Sequence, residues 1–373
     1  MNGPDHEVII VGLGAMGSAA AFHLARRGVR VLGLDRFAPP HDRGSSHGQT
    51  RIIREAYFED PVYVPLVRRA YELWAELARE SGRDLLRVTG GLMLGDPDSV
   101  IVAGARRSAE EHGLPHEVLG AAEVRRRFPA LRPVGEMVGV LEPRAGVLFP
   151  HECIAAHLDL ARRHGADLRL DEAVRGWAPD GAGVRVETAR GTFRARRLVL
   201  TAGAWVAQLL PGMAVPFQVE RQVLHWFEAI QPADFAPDRC PVHLWQFDGM
   251  RFFYGFPDLG EGVKLAFHHD GETTTAEGVR REVAEAEVEA MRRVMRRFLP
   301  GANGAWRAST VCVYTNTPDE HFWIDQHPGH PQVIVGSPCS GHGFKFSAAV
   351  GEVLADLAQD VPPRVDLGRF RWR

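Results

Sequence analysis

Three glycines and one acid near the start of the chain have the types and spacing to hold a dinucleotide. The segment GLGAMG places Gly12, Gly14 and Gly17 directly after the apolar run EVIIV, and Asp35 follows 23 positions after Gly12. Gly12 makes a tight turn, Gly14 lets backbone approach a pyrophosphate, and Gly17 lets a helix pack on a strand. A helix starting there directs unpaired N–H groups and positive potential at the phosphates. Asp35 can accept hydrogen bonds from ribose hydroxyls. Glycines kept only for packing would leave Asp35 unexplained. The motif by itself does not separate NAD from FAD.

A second candidate lies near the other end. In STVCVYTNTPDEHF, Cys312 sits among valines and a tyrosine, 27 positions from the next cysteine. Such a thiol is either apolar filler or the holder of something. The four cysteines, Cys153, Cys240, Cys312 and Cys339, show no CxxC spacing. That argues against a disulfide framework or a zinc site and suits a reducing cytoplasm. There are 17 histidines. Neither HPGH nor HH has helix-face spacing with a carboxylate at hand, so no metal is expected.

These residues need elements to position them. EVIIVG reads as a buried strand, AMGSAAAFHLARRG as a helix with a glycine stop, and VRVLGLD as a second strand. A helix is predicted over about 62–81, with Val67, Ala70, Tyr71, Trp74, Leu77 and Ala78 on one face. RVTGGLMLGD reads as a sheet edge, followed by a charged helix to His112. PHECIAAHLDLARRHGADLRL is a helix-then-strand unit, and GVRVETARGTFRA a hairpin around Gly191. Residues 216–312 are strand-rich, with an amphipathic helix near 277–298. PQVIVGS, PCSGHGFK and FSAAVGEVLADLA close the chain as strand, glycine turn and helix.

Nucleotide-type pieces thus occur at the start, middle and end, with two mostly antiparallel blocks between them. The expectation is an α/β fold: a Rossmann-type domain from 1–84, 146–215 and 316–373, and a discontinuous α+β domain from 85–145 and 216–315. With 373 residues the chain is long enough for two such cores. A net charge of −3 gives no electrostatic reason to bind nucleic acid or an anionic membrane. Val8 to Leu24 is apolar, but the acidic residues before it and its glycines are unlike a signal peptide. A soluble, untargeted cytoplasmic protein is expected.

The segments PPHDRGSSHGQTRIIREAY, GVLFPHECI, YGFPDLGEGVKLAFH, VCVYTNTPDEHFWID and SGHGFKFS, in this order, resemble the monomeric sarcosine oxidase family, which includes N-methyltryptophan oxidase. The resemblance covers essentially the whole chain. It implies FAD, attached covalently through Cys312, and a monomer that oxidises a secondary amino acid, most simply sarcosine, with O2 as acceptor. The alternatives are a bulkier N-methyl or cyclic amino acid as substrate, or a non-catalytic flavin-bearing redox or regulatory protein.

The resemblance also assigns roles. Arg54 and Lys345 would clamp the carboxylate. Tyr254, His268 and Tyr314 would surround the substrate, with His268 either setting the amine's protonation or hydrogen bonding. Lys264 would activate oxygen on the opposite flavin face. His47, Thr50 and Arg51 would run along the ring, with Arg51 offsetting negative charge. Met16, Arg36, Ser45, Val174, Gly203, Gly341, His342 and Gly343 complete the expected cofactor set. Trp245, together with Phe253, is expected near the substrate, and Cys339 is read as packing.

Overall fold

The computed structural model describes residues 6–213 and 216–372. Its first sheet has eight strands. β1 (His6–Val11) is central, parallel to β2 (Val31–Leu34) on one side and to Thr192–Leu200 on the other. His330–Ser337 extends the parallel set beyond Thr192–Leu200. The crossover from β1 to β2 is α1 (Ala15–Arg26). Ile9 and Ile10 are fully buried, so β1 reads as a continuous apolar run rather than an alternating one. Gly12 (φ +92°) turns the chain, and a Cβ on Gly17 would lie 1.8 Å from the Gly12 carbonyl oxygen. Only glycine permits strand and helix to meet so closely.

The second sheet has nine strands. Five of them carry the site: β3 (Gln218–Phe227), β4 (Val242–Phe247), β5 (Arg251–Gly255), β6 (Val263–His268) and β7 (Trp306–Asn316). β6 lies between β3 and β5, β4 pairs with β5, and β7 pairs with β3, all antiparallel. One face packs on the helix Glu285–Phe298 through Phe227, Trp245, Phe253 and Phe298, all fully buried. Burying each such aromatic contributes roughly 2–3 kcal/mol. A three-stranded sheet of Arg51–Ile53, Leu86–Val88 and Gly146–Leu148 carries Arg51 and leads into Arg54.

Two expectations change. Gly91–Gly95 is not a sheet edge: all five residues are buried, between β4 and Val138–Glu142. With both faces covered, alternation vanishes, and Gly90, Gly91 and Gly95 mislead. The amphipathic helix begins at Glu285, not near 277, because Arg281 fastens the preceding segment to the carbonyls of Asp42, Arg43 and Val311.

Candidate active site

Residues from both large sheets line one cavity. At one end stand Gly12, Gly14 and Met16 at the open start of α1, where Gly14 supplies no side-chain cap. Its first N–H groups are therefore available to an anion. Asp35 lines the same end. Its Oδ2 accepts the Leu13 N–H at 2.6 Å and its Oδ1 the Phe37 N–H at 2.8 Å, so it also fixes the glycine turn. Burial pushes this carboxyl up, against the pull of those two N–H groups. Arg36, Ser45, Val174 and Gly203 continue the lining. The Ser337 hydroxyl, buried and without a hydrogen-bond partner, is also part of it. Free amides, an acid and an unsatisfied hydroxyl along one cleft fit a bound dinucleotide.

The other end is built by strand alternation. On β7, Cys312 and Tyr314 share the cavity face. Cys312 Sγ accepts from Arg51 Nη2 at 3.5 Å and lies 3.4 Å from the Ser45 carbonyl. Arg51 is held by the carbonyls of Thr50 and Ser45 at 2.8 and 2.6 Å. The Tyr314 hydroxyl meets His268 Nδ1 at 3.1 Å. Burial holds His268 well below the usual histidine range and so neutral, pushes Tyr254 up to about 12, and holds Tyr314 well above the usual phenol value. A Cβ at Gly341 (φ +75°) would lie 2.6 Å from the Tyr314 ring and 2.9 Å from His268. Glycine there keeps this wall open.

Two cations face the same end. Arg54 donates through Nη2 to both oxygens of Glu59, at 2.7 and 2.6 Å, and its guanidinium lies 4.1 Å over the Tyr57 ring. Burial alone would raise Glu59, but Arg54, with His342 and Lys345, holds it low. Lys345 Nζ donates to the His342 carbonyl at 2.7 Å and to the Tyr57 hydroxyl at 3.3 Å. Burial, then Arg54, pulls its pKa down to about 7. His342 is tied by Nε2 to the Glu320 carbonyl, which can only accept, so Nδ1 accepts from Tyr57 at 2.6 Å. The loop after Arg54 is gripped by Glu142, whose oxygens accept the N–H groups of Glu55 and Ala56 at 2.6 and 2.8 Å. Burial still pushes Glu142 up to about 7.

Lys264 is apart from both. It shares β6 with His268, four residues on, so about 13 Å of strand separates them. Its Nζ donates to the Gly48 and Thr50 carbonyls at 2.6 and 2.8 Å and to Thr50 Oγ1 at 2.9 Å. The rings of Trp226 and Phe256 lie 5.5 and 4.6 Å away. Burial, then Arg51, draws its pKa well below that of an ordinary lysine.

A family model described as FAD dependent oxidoreductase matches residues 7–357. The chain belongs to this family. It is 49% identical over 363 residues to a monomeric sarcosine oxidase of Streptomyces avermitilis, covering 95% of this chain and 94% of that protein. It is 36% identical over 369 residues to an N-methyl-L-tryptophan oxidase of Yersinia pestis, covering 98% of both. Among solved structures, NikD, described as an unusual amino acid oxidase essential for nikkomycin biosynthesis, superposes with a TM-score of 0.86 at 26% identity, covering 98% of this chain and 97% of that one. FAD is thus the dinucleotide that the glycine turn serves in this family.

The cavity of this FAD dependent oxidoreductase gathers most of the residues expected from sequence. Gly341, His342, Gly343, Lys345, Arg51, Arg54, Tyr254, His268, Cys312 and Tyr314 all line it. Gly17 stays behind the turn. Thr50 and Lys264 are buried beneath, and His47 lines an adjoining cleft with Gly48, His151 and Trp226. Trp245 corrects the sequence reading. It is fully buried on the far face of β4, stacked on Phe253 at 5.4 Å. Leu244, its neighbour, lines the cavity instead. Cys339 does more than pack: it lines the cavity, and its Sγ accepts the Thr315 N–H at 3.3 Å. Sequence reasoning missed Glu59 and Glu142, and only the proximity of Glu59 to Arg54 in REAYFED could have drawn notice.

Proposed function

We propose that this protein oxidises the N-methyl carbon of a secondary amino acid, sarcosine in the simplest case, with FAD held covalently by Cys312. The products are glycine, formaldehyde and hydrogen peroxide; O2 is the electron acceptor and water hydrolyses the imine. The observation that carries this reading is the convergence of Arg54 and Lys345 on the cavity end that also holds His268 and Tyr314. Two cations offer a carboxylate both a fork and a point charge. Neutral His268 and the neutral phenols are suited to an uncharged amine, the form that can release a hydride.

Bound FAD supplies a two-electron acceptor that is reoxidised by oxygen. Arg54 and Lys345 orient the carboxylate, and holding the reacting carbon in a near-attack position contributes several kcal/mol. His268 Nδ1 and the Tyr314 hydroxyl fix one another, leaving His268 Nε2 to meet the amine. Arg51, beside Cys312, offsets negative charge near the attachment point. Lys264 presents an ammonium to negative charge developing on oxygen, an effect strengthened in its dry surroundings.

The test incubates the purified protein with sarcosine, N-methyltryptophan and pipecolate in air, measuring formaldehyde and peroxide. Sarcosine is expected to give the two in equal amounts. No peroxide from any of the three would overturn the reading. Cys312→Ser protein should release its yellow colour on acid precipitation while the parent retains it; retention by both would remove Cys312 from the linkage.

A further inference from the structure

An ion pair that the proposed chemistry does not use lies behind the His268–Tyr314 wall. His269 follows β6 directly, and its backbone is left-handed, φ +53°, a conformation costly for most residues with a β-carbon. Continued as a strand, residue 269 would point away from His268's face. The turn instead brings its ring to 4.3 Å from the ring of His268 and 5.3 Å from that of Tyr314. There its Nδ1 lies 3.2 Å from Glu220 Oε2.

Glu220 stands on β3 directly opposite Tyr314 on β7, so the two share a face. Its carboxylate is surrounded by donors. Asn316 Nδ2 donates to Oε2 at 2.6 Å, while the Gly271 N–H at 3.0 Å and the Gln222 amide donate to Oε1. Glu220, Asn316 and Gln222 are all buried. A carboxylate enclosed by that many donors is held ionised.

We propose that Glu220 and His269 are a charged positioning pair, which keeps a cation behind His268 and Tyr314 and so favours a ligand bearing a carboxylate and a neutral amine. This rests on the carboxylate-clamp reading above. A cation against His268 disfavours a second proton on that ring, leaving it free to pair with Tyr314 and the amine. When His269 loses its proton, Glu220 leaves a net negative charge on the wall, which repels the ligand's carboxylate.

The surrounding charges agree. Burial pulls His269 down, but Glu220 and Glu320, with a backbone hydrogen bond at Ser340, outweigh it, so its pKa lies above the usual histidine value. His268 is held low by burial first, then by His269, His342, Lys345 and Arg54. Binding is therefore tight while His269 is charged and weakens as pH rises through its raised pKa. Lys345 titrates nearby, but its step is common to every Glu220 or His269 variant, so differences between profiles belong to the pair.

The probe is methoxyacetate, which has sarcosine's outline and carboxylate but no titrating amine. Its dissociation constant is measured by calorimetry on the holoenzyme from about pH 6 to about pH 9, a range that spans histidine titration. Glu220→Gln should move the weakening to lower pH. His269→Asn, tolerated by a left-handed backbone, should lose that step and bind on the order of fivefold weaker at neutral pH. His269→Lys, with a permanent charge, should restore tight binding at neutral pH and leave only the Lys345 step. Superimposable profiles for parent and Glu220→Gln would overturn the pair's role while leaving the clamp intact. No binding to the parent at any pH would overturn the clamp, and the inference with it.

Discussion

Lys264 and Lys345 are both buried at one cofactor cavity, yet they are held differently. Lys264 is gripped by two carbonyls and a hydroxyl, with aromatic rings over it. Lys345 lines the cavity beside Arg54, and Glu59 balances part of their charge. The first arrangement suits a charge that exists only briefly, because the three acceptors already satisfy the ammonium's protons. The second suits a ligand that stays: cations matched to a carboxylate, with an internal carboxylate in place before the ligand arrives. Four residues of one strand keep the first arrangement away from the His268–Tyr314 wall.

If this division holds, the largest effect comes from Lys264→Met. Turnover in air should fall on the order of a hundredfold or more, the scale of removing a preorganised electrostatic stabiliser. Next is Arg54→Met, which strands Glu59 in a partly buried site and should cost about 2–3 kcal/mol of stability in chemical denaturation, below the full penalty of breaking a buried pair. Arg54→Met combined with Glu59→Gln should recover much of that loss, and a strictly additive double variant would break the pairing.

Lys345 gives a pH signature of intermediate size. Free, it is protonated below about pH 7, and a bound carboxylate raises that value. Ligand binding therefore takes up a proton above pH 7 and weakens as pH rises, by up to about tenfold per unit. Methoxyacetate binding to Lys345→Met should lack this step. The smallest effect is Glu59→Gln: relieved of its internal partner, Arg54 should bind carboxylates a few-fold tighter, read as a lower dissociation constant.

How far the sequence could be read follows the range of each constraint. The strand, glycine turn, helix and Asp35 were legible because their requirements are local and steric. Cys312 and Tyr314 were found through the resemblance, and period-two alternation explains why both reach the cavity. The same alternation exposes the error at Trp245: in a strand buried on both faces, hydrophobicity does not reveal which parity faces the cavity, and Leu244 has it. Glu142 could not be found, because the amides it grips lie at residues 55 and 56, nearly ninety positions away. Nor could Glu220 and His269, which meet only when β3 and β6 pair and residue 269 turns left-handed.

The most direct test separates the two half-reactions in Lys264→Met and Lys345→Met. Each holoenzyme is mixed anaerobically with sarcosine while flavin absorbance is followed, then the reduced protein is mixed with oxygenated buffer. The account predicts near-normal bleaching and slow recovery of colour in Lys264→Met, and slow bleaching with near-normal recovery in Lys345→Met. Equal losses in both half-reactions for either variant would contradict a division of labour between the two lysines.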